Sequence, residues 1–270
     1  MKTTCLMDNV ARDGYECAHG LSLYVEACSR RFLFDLGPGD GYIGNAARAG
    51  IDLSGCEFAV ISHAHDDHGG GLAAFLEKCP GAPVYLREGG FEPRWSHPAE
   101  GVSKPIGLDA SLAESGRIVY TGEKYVVSPG LTLFAGVHGR ELFSGANRVL
   151  FGPDNVTPDD FSHEQDLLIE ENGKRVLIAG CAHNGIVNIL SRCAELCPEP
   201  PDAVIGGFHL MIPATGETDD ALTDALAERL AQLPTRFYTC HCTGLKSFER
   251  LKSRMGEQIS YLAAGDTLEF

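Results

Sequence analysis

A run of possible metal ligands directly follows a short apolar segment near residue 60. His63, His65, Asp67 and His68 lie within six residues of one another. Imidazole and carboxylate groups are ligands that Zn, Fe and Mn accept. Residues i and i+2 of an extended chain point the same way, so His63 and His65 can bind one metal, and a turn then brings Asp67 and His68 round to a second. The run therefore predicts a fold in which these donors surround two divalent metal ions.

The glycines at positions 69–71 support this interpretation. Glycine lets the backbone pass close to a bound group, and an apolar helical pattern over residues 72–79 begins directly after them. The amino end of a helix favours an anionic ligand. A solvated loop rich in histidine is the alternative, but the whole chain has only ten histidines in 270 residues. We therefore favour the metal site.

The charge of the chain restricts its partners. The formal net charge is −15, and so acidic a surface attracts polyanions poorly. We therefore expect no binding to nucleic acid or to membranes. A bound metal or a local basic group still allows a small anionic substrate. Nothing in the sequence determines the oligomeric state.

Several features favour a cytoplasmic protein. The first 20 residues include acidic side chains and no long apolar run, which argues against a secretory signal. No segment approaches the roughly 18 apolar residues that a membrane span needs. The ten cysteines are spread along the chain without the spacing of a disulfide scaffold, so we expect reduced thiols.

Alternating and apolar segments predict a mixed α/β fold. Hairpin patterns occupy residues 21–36 and 166–179, and each is followed by short apolar strands that alternate with helical stripes. We expect two mixed β-sheets packed together, with helices on the outer faces, in a single domain over residues 1–270.

Three segments carry weaker patterns. Residues 88–118 and 138–163 look irregular, and because long loops in a compact domain are usually functional we expect them to form the walls of a substrate pocket. The tail, residues 259–270, alternates like one closing strand.

The run from Ser62 to Gly70 is similar to the His-x-His-x-Asp-His signature of the metallo-β-lactamase superfamily. Asp35, after the apolar residues 32–34, resembles an aspartate that supports the site in that family without binding metal. The resemblance covers most of the chain. It implies an αβ/βα four-layer sandwich of two mixed β-sheets, with the metals at one edge between the sheets. It also implies two divalent metal ions, with Zn²⁺ as the first choice and Fe, Mn or Ni as alternatives.

The resemblance implies further donors for the second metal. His241 follows a strand late in the chain and matches the family's last ligand. Cys181 ends a strand where the family has an aspartate that bridges the metals, so this chain departs from the family at that position. The Cys181 thiolate could bind Zn²⁺, and its pKa would fall on binding. Alternatively, Cys181 is inert packing and His183 supplies the donor.

The third ligand of the first metal has several candidates. His163 lies roughly where the third histidine of the family falls, His183 is its rival, and His138 is a weaker candidate. His209 follows a buried strand, and we expect it either to face the substrate or to be structural.

Shorter segments narrow the resemblance to one branch of the superfamily. Residues 19–22, 180–188, 206–210 and 241–244 look like the 7,8-dihydropterin-6-methyl-4-(β-D-ribofuranosyl)aminobenzene-5'-phosphate synthase-like branch. Many members carry that name by similarity alone, so the resemblance indicates the branch better than it indicates the substrate.

Together these features favour a metal-dependent hydrolase that acts on a small phosphate ester or phosphodiester through a metal-activated water. Asp67 would bind metal and orient or deprotonate the water. His183 is a catalytic candidate and His209 a substrate-binding candidate, either of which would stabilise the anion formed. The alternatives are a dihydropterin–arylamine synthase-like enzyme, an iron-containing redox protein on the same fold, and a metal-dependent binding protein without activity.

Overall fold

The computed structural model describes residues 1–270 as nineteen strands and six α-helices. The strands in chain order are β1 (Lys2–Met7), β2 (Ser22–Ala27), β3 (Arg30–Phe34), β4 (Phe58–Val60), β5 (Val84–Arg87), β6 (Trp95–Ala99), β7 (Val102–Pro105), β8 (Ile118–Thr121), β9 (Lys124–Ser128), β10 (Leu131–Phe134), β11 (Leu150–Phe151), β12 (Asp166–Glu171), β13 (Lys174–Ile178), β14 (Ala203–Gly206), β15 (Met211–Ile212), β16 (Glu217–Thr218), β17 (Arg236–Thr239), β18 (Ile259–Tyr261) and β19 (Thr267–Glu269). The helices are α1 (Gly41–Arg48), α2 (Asp66–Gly69), α3 (Leu72–Lys78), α4 (Ile186–Leu196), α5 (Asp220–Leu230) and α6 (Leu245–Met255).

Two seven-stranded mixed sheets form the centre of the fold. The first has the strand order β19-β1-β2-β3-β4-β5-β8, and the second has the order β18-β17-β14-β13-β12-β10-β9. Each sheet has antiparallel hairpins on one side and parallel strands on the other, where β3, β4, β5 and β8 run parallel in the first sheet and β13, β14, β17 and β18 in the second. Parallel strands need helical crossovers, which α3, α4, α5 and α6 supply.

Three apolar clusters show how the layers pack. One lies between the sheets and takes alternate residues of each strand, such as Leu167 and Ile169 of β12. Leu168, between them, points to the opposite face and packs in a second cluster with α4, α5 and α6. A third cluster packs the outer face of the first sheet against α1 and α3. This is the four-layer sandwich that the sequence predicted, and the period of two along each strand is its cause.

The two predicted hairpins are confirmed. β2 pairs with β3 and β12 pairs with β13, both antiparallel. The structure differs in residues 88–118, where β6 and β7 form an exposed hairpin that β11 extends to a three-stranded sheet. The sequence did not indicate this hairpin because Pro98 interrupts the first strand and all four residues of the second are exposed, so no alternation of apolar residues is present.

The tail was predicted as one strand and is two. β18 pairs in parallel with β17 of the second sheet, whereas β19 pairs with β1 of the first. A turn at residues 263–266 separates them, closed by the N–H of Asp266 donating to the carbonyl of Ala263. The prediction of a single strand was therefore wrong.

None of the helices combines the length and the apolar character that crossing a lipid bilayer requires.

Candidate metal centre

The carboxyl ends of parallel strands from both sheets meet at one edge of the sandwich. Asp35 follows β3 and His63 follows β4 in the first sheet, while Cys181 follows β13 and His241 follows β17 in the second. Parallel strands place their carboxyl ends on the same side, so residues far apart in sequence converge there. This edge contains the histidine run that the sequence singled out.

The backbone at this edge is strained. Asp35, Ala182, His209 and His241 have φ angles of 60°, 52°, 46° and 47°. Residues other than glycine in the left-handed region cost about 1–3 kcal/mol each and occur where the surrounding structure holds them for a function. Four such residues at one edge mark it as a candidate site.

The first group of donors contains His63, His65 and His183, all buried, with one ring nitrogen of each within 4.8 Å of the others. The Nε2 atoms of His63 and His183 are 3.3 Å apart. Two nitrogens bound to one tetrahedral Zn²⁺ at about 2.0–2.1 Å are separated by about 3.3–3.4 Å. The spacing of these two imidazoles therefore suits a shared cation.

Hydrogen bonds on the far side of each ring determine where its proton lies. The Ser62 hydroxyl donates to Asp35, so it accepts the Nδ1 proton of His63 at 2.8 Å. The Asn147 amide donates to the His183 carbonyl, which leaves its Oδ1 to accept the Nδ1 proton of His183 at 2.9 Å. Both facing Nε2 atoms therefore carry lone pairs, and only a cation or an added proton between them makes the contact attractive.

The second group of donors contains Asp67, His68 and His241. The Nδ1 proton of His68 is donated to Asp35 at 2.7 Å, and its Nε2 lies 3.1 Å from the sulfur of Cys181. His241 is held in the same way, because its Nδ1 donates to the side-chain Oδ1 of Asn9 at 2.8 Å. Its Nε2 lies 3.2 Å from Asp67 Oδ2 without a hydrogen bond.

These contacts satisfy a physical test for a metal site. Buried polar atoms normally have a partner, yet one ring nitrogen of His65, one of His241 and both of His209 have none. The unpaired nitrogens face a cluster of imidazole, carboxylate and thiol groups that matches the preferences of Zn²⁺ and related divalent ions. The residues present therefore fit two cations.

The electrostatics of the first group keep its imidazoles neutral. Burial is the largest cause and the neighbouring histidines add to it, so the pKa values of His63 and His183 fall well below their usual range, and that of His65 falls to about 3. His68 differs: burial lowers its pKa, but the carboxylates of Asp35 and Asp67 outweigh burial and raise the pKa to about 9. A cation would replace the extra proton on that ring.

Cys181 is brought into the site. Its sulfur lies beside His68, and Cys181, His241 and Cys242 place one donor atom each within 4.8 Å of the others. Burial raises the pKa of the Cys181 thiol, and a bound cation would lower it. Cys242, which the sequence did not single out, lies in the same cluster and accepts a hydrogen bond from the N–H of His209 at 3.3 Å.

His163 lies next to the first group but has a different set of contacts. Its Nδ1 accepts the N–H of Ala64 at 3.0 Å, and its Nε2 contacts Asp159 at 3.1 Å. Both ring nitrogens are therefore engaged by the protein, whereas Nε2 of His183 faces His63 and His65. Arg94 is also buried 3.3 Å from Asp159, so His163 belongs to a buried network that holds the backbone between His63 and His65.

The next residue, Glu164, supports His183. Its buried carboxylate accepts the N–H of His183 at 2.6 Å and that of Asn184 at 2.9 Å. These bonds hold the turn in which Ala182 has a positive φ. Glu164 and Asn147 were not predicted from the sequence, since neither belongs to a local motif and both contact residues more than ten positions away.

An open cavity of about 350 Å³ lies over the metal donors. His209 lines it and packs against His183 with the two rings tilted, their centroids 4.2 Å apart. Parts of the two segments predicted as pocket walls are present, from the β6–β7 hairpin and from the residues around β11, and Lys104 is the only lysine or arginine in the lining. His138, the weaker candidate, is exposed.

Comparisons with known proteins agree with this geometry. The family model of the metallo-β-lactamase superfamily matches residues 16–210. In Methanocaldococcus jannaschii, the uncharacterized protein MJ0448 is 26% identical and covers 91% of this chain and 92% of its own. The 7,8-dihydropterin-6-methyl-4-(β-D-ribofuranosyl)-aminobenzene-5'-phosphate synthase of the same organism is 24% identical and covers 93% and 90%.

Solved structures show the same architecture. Tm1679, described as a metal-dependent hydrolase of the β-lactamase superfamily, aligns with a TM-score of 0.82 at 28% identity over 100% of this chain and 99% of its own. Zn²⁺-bound PqqB from Methylobacterium extorquens aligns with a TM-score of 0.61 at 16% identity over the whole of both chains, a likeness in fold alone. The chain belongs to the metallo-β-lactamase superfamily.

Proposed function

We propose that the chain is a metal-dependent hydrolase that acts on a small phosphate ester or phosphodiester. The observation that carries the proposal is the pair of donor groups at the floor of the cavity, in which the Nε2 atoms of His63 and His183 lie 3.3 Å apart and Nε2 of His241 lies 3.2 Å from Asp67 Oδ2. Two cations held there would lower the pKa of a water towards 7 and neutralise charge on a leaving oxygen.

We assign His63, His65 and His183 to the first metal, and Asp67, His68 and His241 to the second. Cys181 lies beside the second group and is proposed as an additional donor. His163 is left out of the set because both of its ring nitrogens are engaged elsewhere. Zn²⁺ suits a set of imidazole, carboxylate and thiolate donors better than it suits oxygen ligands alone.

The charge of the cavity supports an anionic substrate. Asp66 and Asp67 are the acidic residues of the lining, and two divalent cations together with Lys104 would outweigh them. Pro98, Ile106 and other apolar side chains also line the cavity, so the substrate is expected to carry an apolar or planar group beside its phosphate.

The chain's own side chains orient the reaction. Asp67 has one carboxylate oxygen beside His19 and His241, and it is the proposed base or orienting group for the attacking water. His209, with two unpaired ring nitrogens in the lining, is placed to donate a hydrogen bond to the anion that forms.

A second function rests on a relative. The M. jannaschii synthase covers nearly the whole chain, and its name describes a product with an aminobenzene group joined to a dihydropterin. Apolar lining residues beside the proposed metal ions would accommodate such reactants as well. Anaerobic nitric oxide reductase flavorubredoxins match shorter stretches, 42 residues at 48% identity over 8% of the Aliivibrio fischeri protein and 110 residues at 34% identity over 21% of the Aeromonas hydrophila protein, which gives the redox alternative less support.

Removing the metals tests the proposal. The purified chain is expected to bind about two Zn²⁺ per molecule, and chelation should abolish hydrolysis of whichever ester it accepts from a panel of phosphomonoesters, phosphodiesters, lactones and thioesters. Turnover that persists after complete metal removal would refute the mechanism. Activity only on a dihydropterin pyrophosphate with an arylamine would favour the synthase.

Lys104 tests the substrate charge. Replacing it with alanine is expected to raise KM for an anionic substrate at least about tenfold, because a charge-assisted hydrogen bond contributes about 1.5–3 kcal/mol and about 1.4 kcal/mol is a factor of ten, while kcat changes little. Lys124, an exposed lysine of β9 away from the cavity lining, is the matched control. Equal KM values for Lys104→Ala and Lys124→Ala would show that Lys104 does not contact the substrate.

A further inference from the structure

The segment around residue 9 connects two histidines that line the cavity. The side chain of Asn9 contacts both rings: its Oδ1 lies 2.8 Å from Nδ1 of His241, and its Nδ2 lies 3.1 Å from Nδ1 of His19. His19 also approaches the metal site directly, since its Nε2 lies 3.3 Å from Asp67 Oδ2. The side-chain amide of Asn9 therefore presents its oxygen to Nδ1 of His241 and its NH₂ group to Nδ1 of His19.

The orientation of this amide is determined by the backbone. The N–H of Gly20 donates to Asn9 Oδ1 at 3.3 Å. If the amide were turned over, its NH₂ group would face the N–H of Gly20, and two donors would oppose each other. The oxygen of Asn9 therefore points to Gly20 and His241, and the NH₂ group points to His19.

Opposite tautomers follow for the two rings. His241 faces an acceptor, so its proton lies on Nδ1 and its Nε2 lone pair points into the site. His19 faces a donor, so its Nδ1 must accept and a neutral His19 carries its proton on Nε2. That proton is directed towards Asp67 Oδ2, which also lies 3.2 Å from Nε2 of His241.

The segment that carries His19 is docked firmly on Asp67. The N–H of Leu21 donates to the Asp67 carbonyl at 3.2 Å, and a Cβ atom built on Gly20 would lie 2.3 Å from that carbonyl oxygen. Only glycine permits so close an approach. It places His19 beside the carboxylate of Asp67, while 43% of the His19 side chain stays exposed at the cavity.

We propose that Asn9 sets opposite tautomers in His19 and His241, so that His241 is a metal ligand and His19 is a positioning residue that donates to Asp67 from outside the metal shell. His19, Asp67 and His241 together look like a third ligand group, because their donor atoms lie within 4.8 Å of one another. The hydrogen bonds of Asn9 remove His19 from that group.

The direct test is the position of each proton in protein with ¹⁵N-labelled histidine. Long-range correlations from the carbon-bound ring protons distinguish the two nitrogens, and they can be recorded before and after Zn²⁺ loading. We expect the proton of His241 on Nδ1 and that of His19 on Nε2, with Zn²⁺ shifting Nε2 of His241 alone. A Zn²⁺-shifted, unprotonated Nε2 in His19 would overturn the proposal.

A variant of Asn9 tests whether this side chain determines the tautomer of His19. Asn9→Asp keeps an acceptor for His241 and Gly20 but replaces the donor that faces His19. We expect Nδ1 of His19 to gain a proton while the ring of His241 keeps its tautomer. Asn172→Asp makes the same change of charge in a distant turn between β12 and β13 and should alter neither ring. An unchanged His19 in Asn9→Asp would contradict the assignment.

Metal affinity separates a positioning residue from a ligand. His19→Ala is expected to weaken Zn²⁺ binding at the second site about tenfold, as is usual for a group that orients a ligand, and His19→Gln, which retains an N–H donor, should restore part of it. His241→Ala should weaken it more than about 100-fold. If His19→Ala and His241→Ala were equally damaging, or if His19→Gln gave no recovery, the proposal would fail. No substrate is needed, so this outcome is independent of the proposed activity.

Discussion

Replacing His183 with alanine is expected to empty the first metal position, with Zn²⁺ affinity there falling more than about 100-fold. Loss of a group that only orients a ligand costs about 10–100-fold, and His183 presents its own unprotonated Nε2, 3.3 Å from that of His63. Titration of the metal-free protein with Zn²⁺ against a competing chelator measures the change. The number of bound ions should fall from about two to about one.

His163→Ala is the matched control, since both histidines are buried beside His63 and His65. His163 bonds Ala64 and contacts Asp159 instead of facing the donor cluster. We expect both metals to be retained and the free energy of unfolding to fall by about 1–3 kcal/mol, the cost of leaving buried polar groups unpaired. Loss of a metal in His163→Ala, with normal binding in His183→Ala, would reverse the assignment.

Asp35→Ala is expected to damage both the fold and the second metal position. The buried carboxylate accepts hydrogen bonds from the N–H and the hydroxyl of Ser62 and from His68 Nδ1, each at 2.7 Å. Removing one partner of a buried ion pair costs about 3–5 kcal/mol. Chemical denaturation of the metal-free protein should show a loss of that order.

Asp35→Asn separates orientation from packing. Asparagine keeps the shape of the side chain and one acceptor oxygen, but its NH₂ group would face His68 or Ser62. If it faces His68, Nδ1 of that ring must accept and the proton moves to Nε2, where it blocks metal binding. We expect Zn²⁺ affinity to fall about 10–100-fold with a smaller loss of stability than in Asp35→Ala. Unchanged affinity in an Asp35→Asn variant whose His68 proton has moved to Nε2, as ¹⁵N spectra of the ring would report, would show that His68 is not a ligand.

The sequence predicted those parts of the fold that local patterns determine. The hairpins β2–β3 and β12–β13 follow from alternating apolar residues, which pack between the sheets on one face and under helices on the other. β6 and β7 were not predicted because they lie on the surface and have no alternating pattern of buried residues. The tail was misjudged because alternation alone does not reveal that residues 263–266 turn the chain from one sheet to the other.

The histidine run could also be predicted from a local pattern, since four donors lie within six residues. Whether His163 or His183 is the third donor of the first group could not be predicted from the sequence, because it depends on what the far side of each ring contacts. The partner of His183 is Asn147, 36 residues away, and the partner of His241 is Asn9, 232 residues away. Tautomers are decided by such non-local hydrogen bonds, which no spacing in the sequence records.

Anomalous X-ray diffraction from crystals of the metal-loaded chain tests the central claim most directly. Data collected on both sides of the absorption edge identify the element and locate each ion relative to its donors. We predict two peaks, one among His63, His65 and His183 and the other among Asp67, His68 and His241. A fully loaded crystal with no anomalous peak at these residues, or with its metal held elsewhere, would contradict the account.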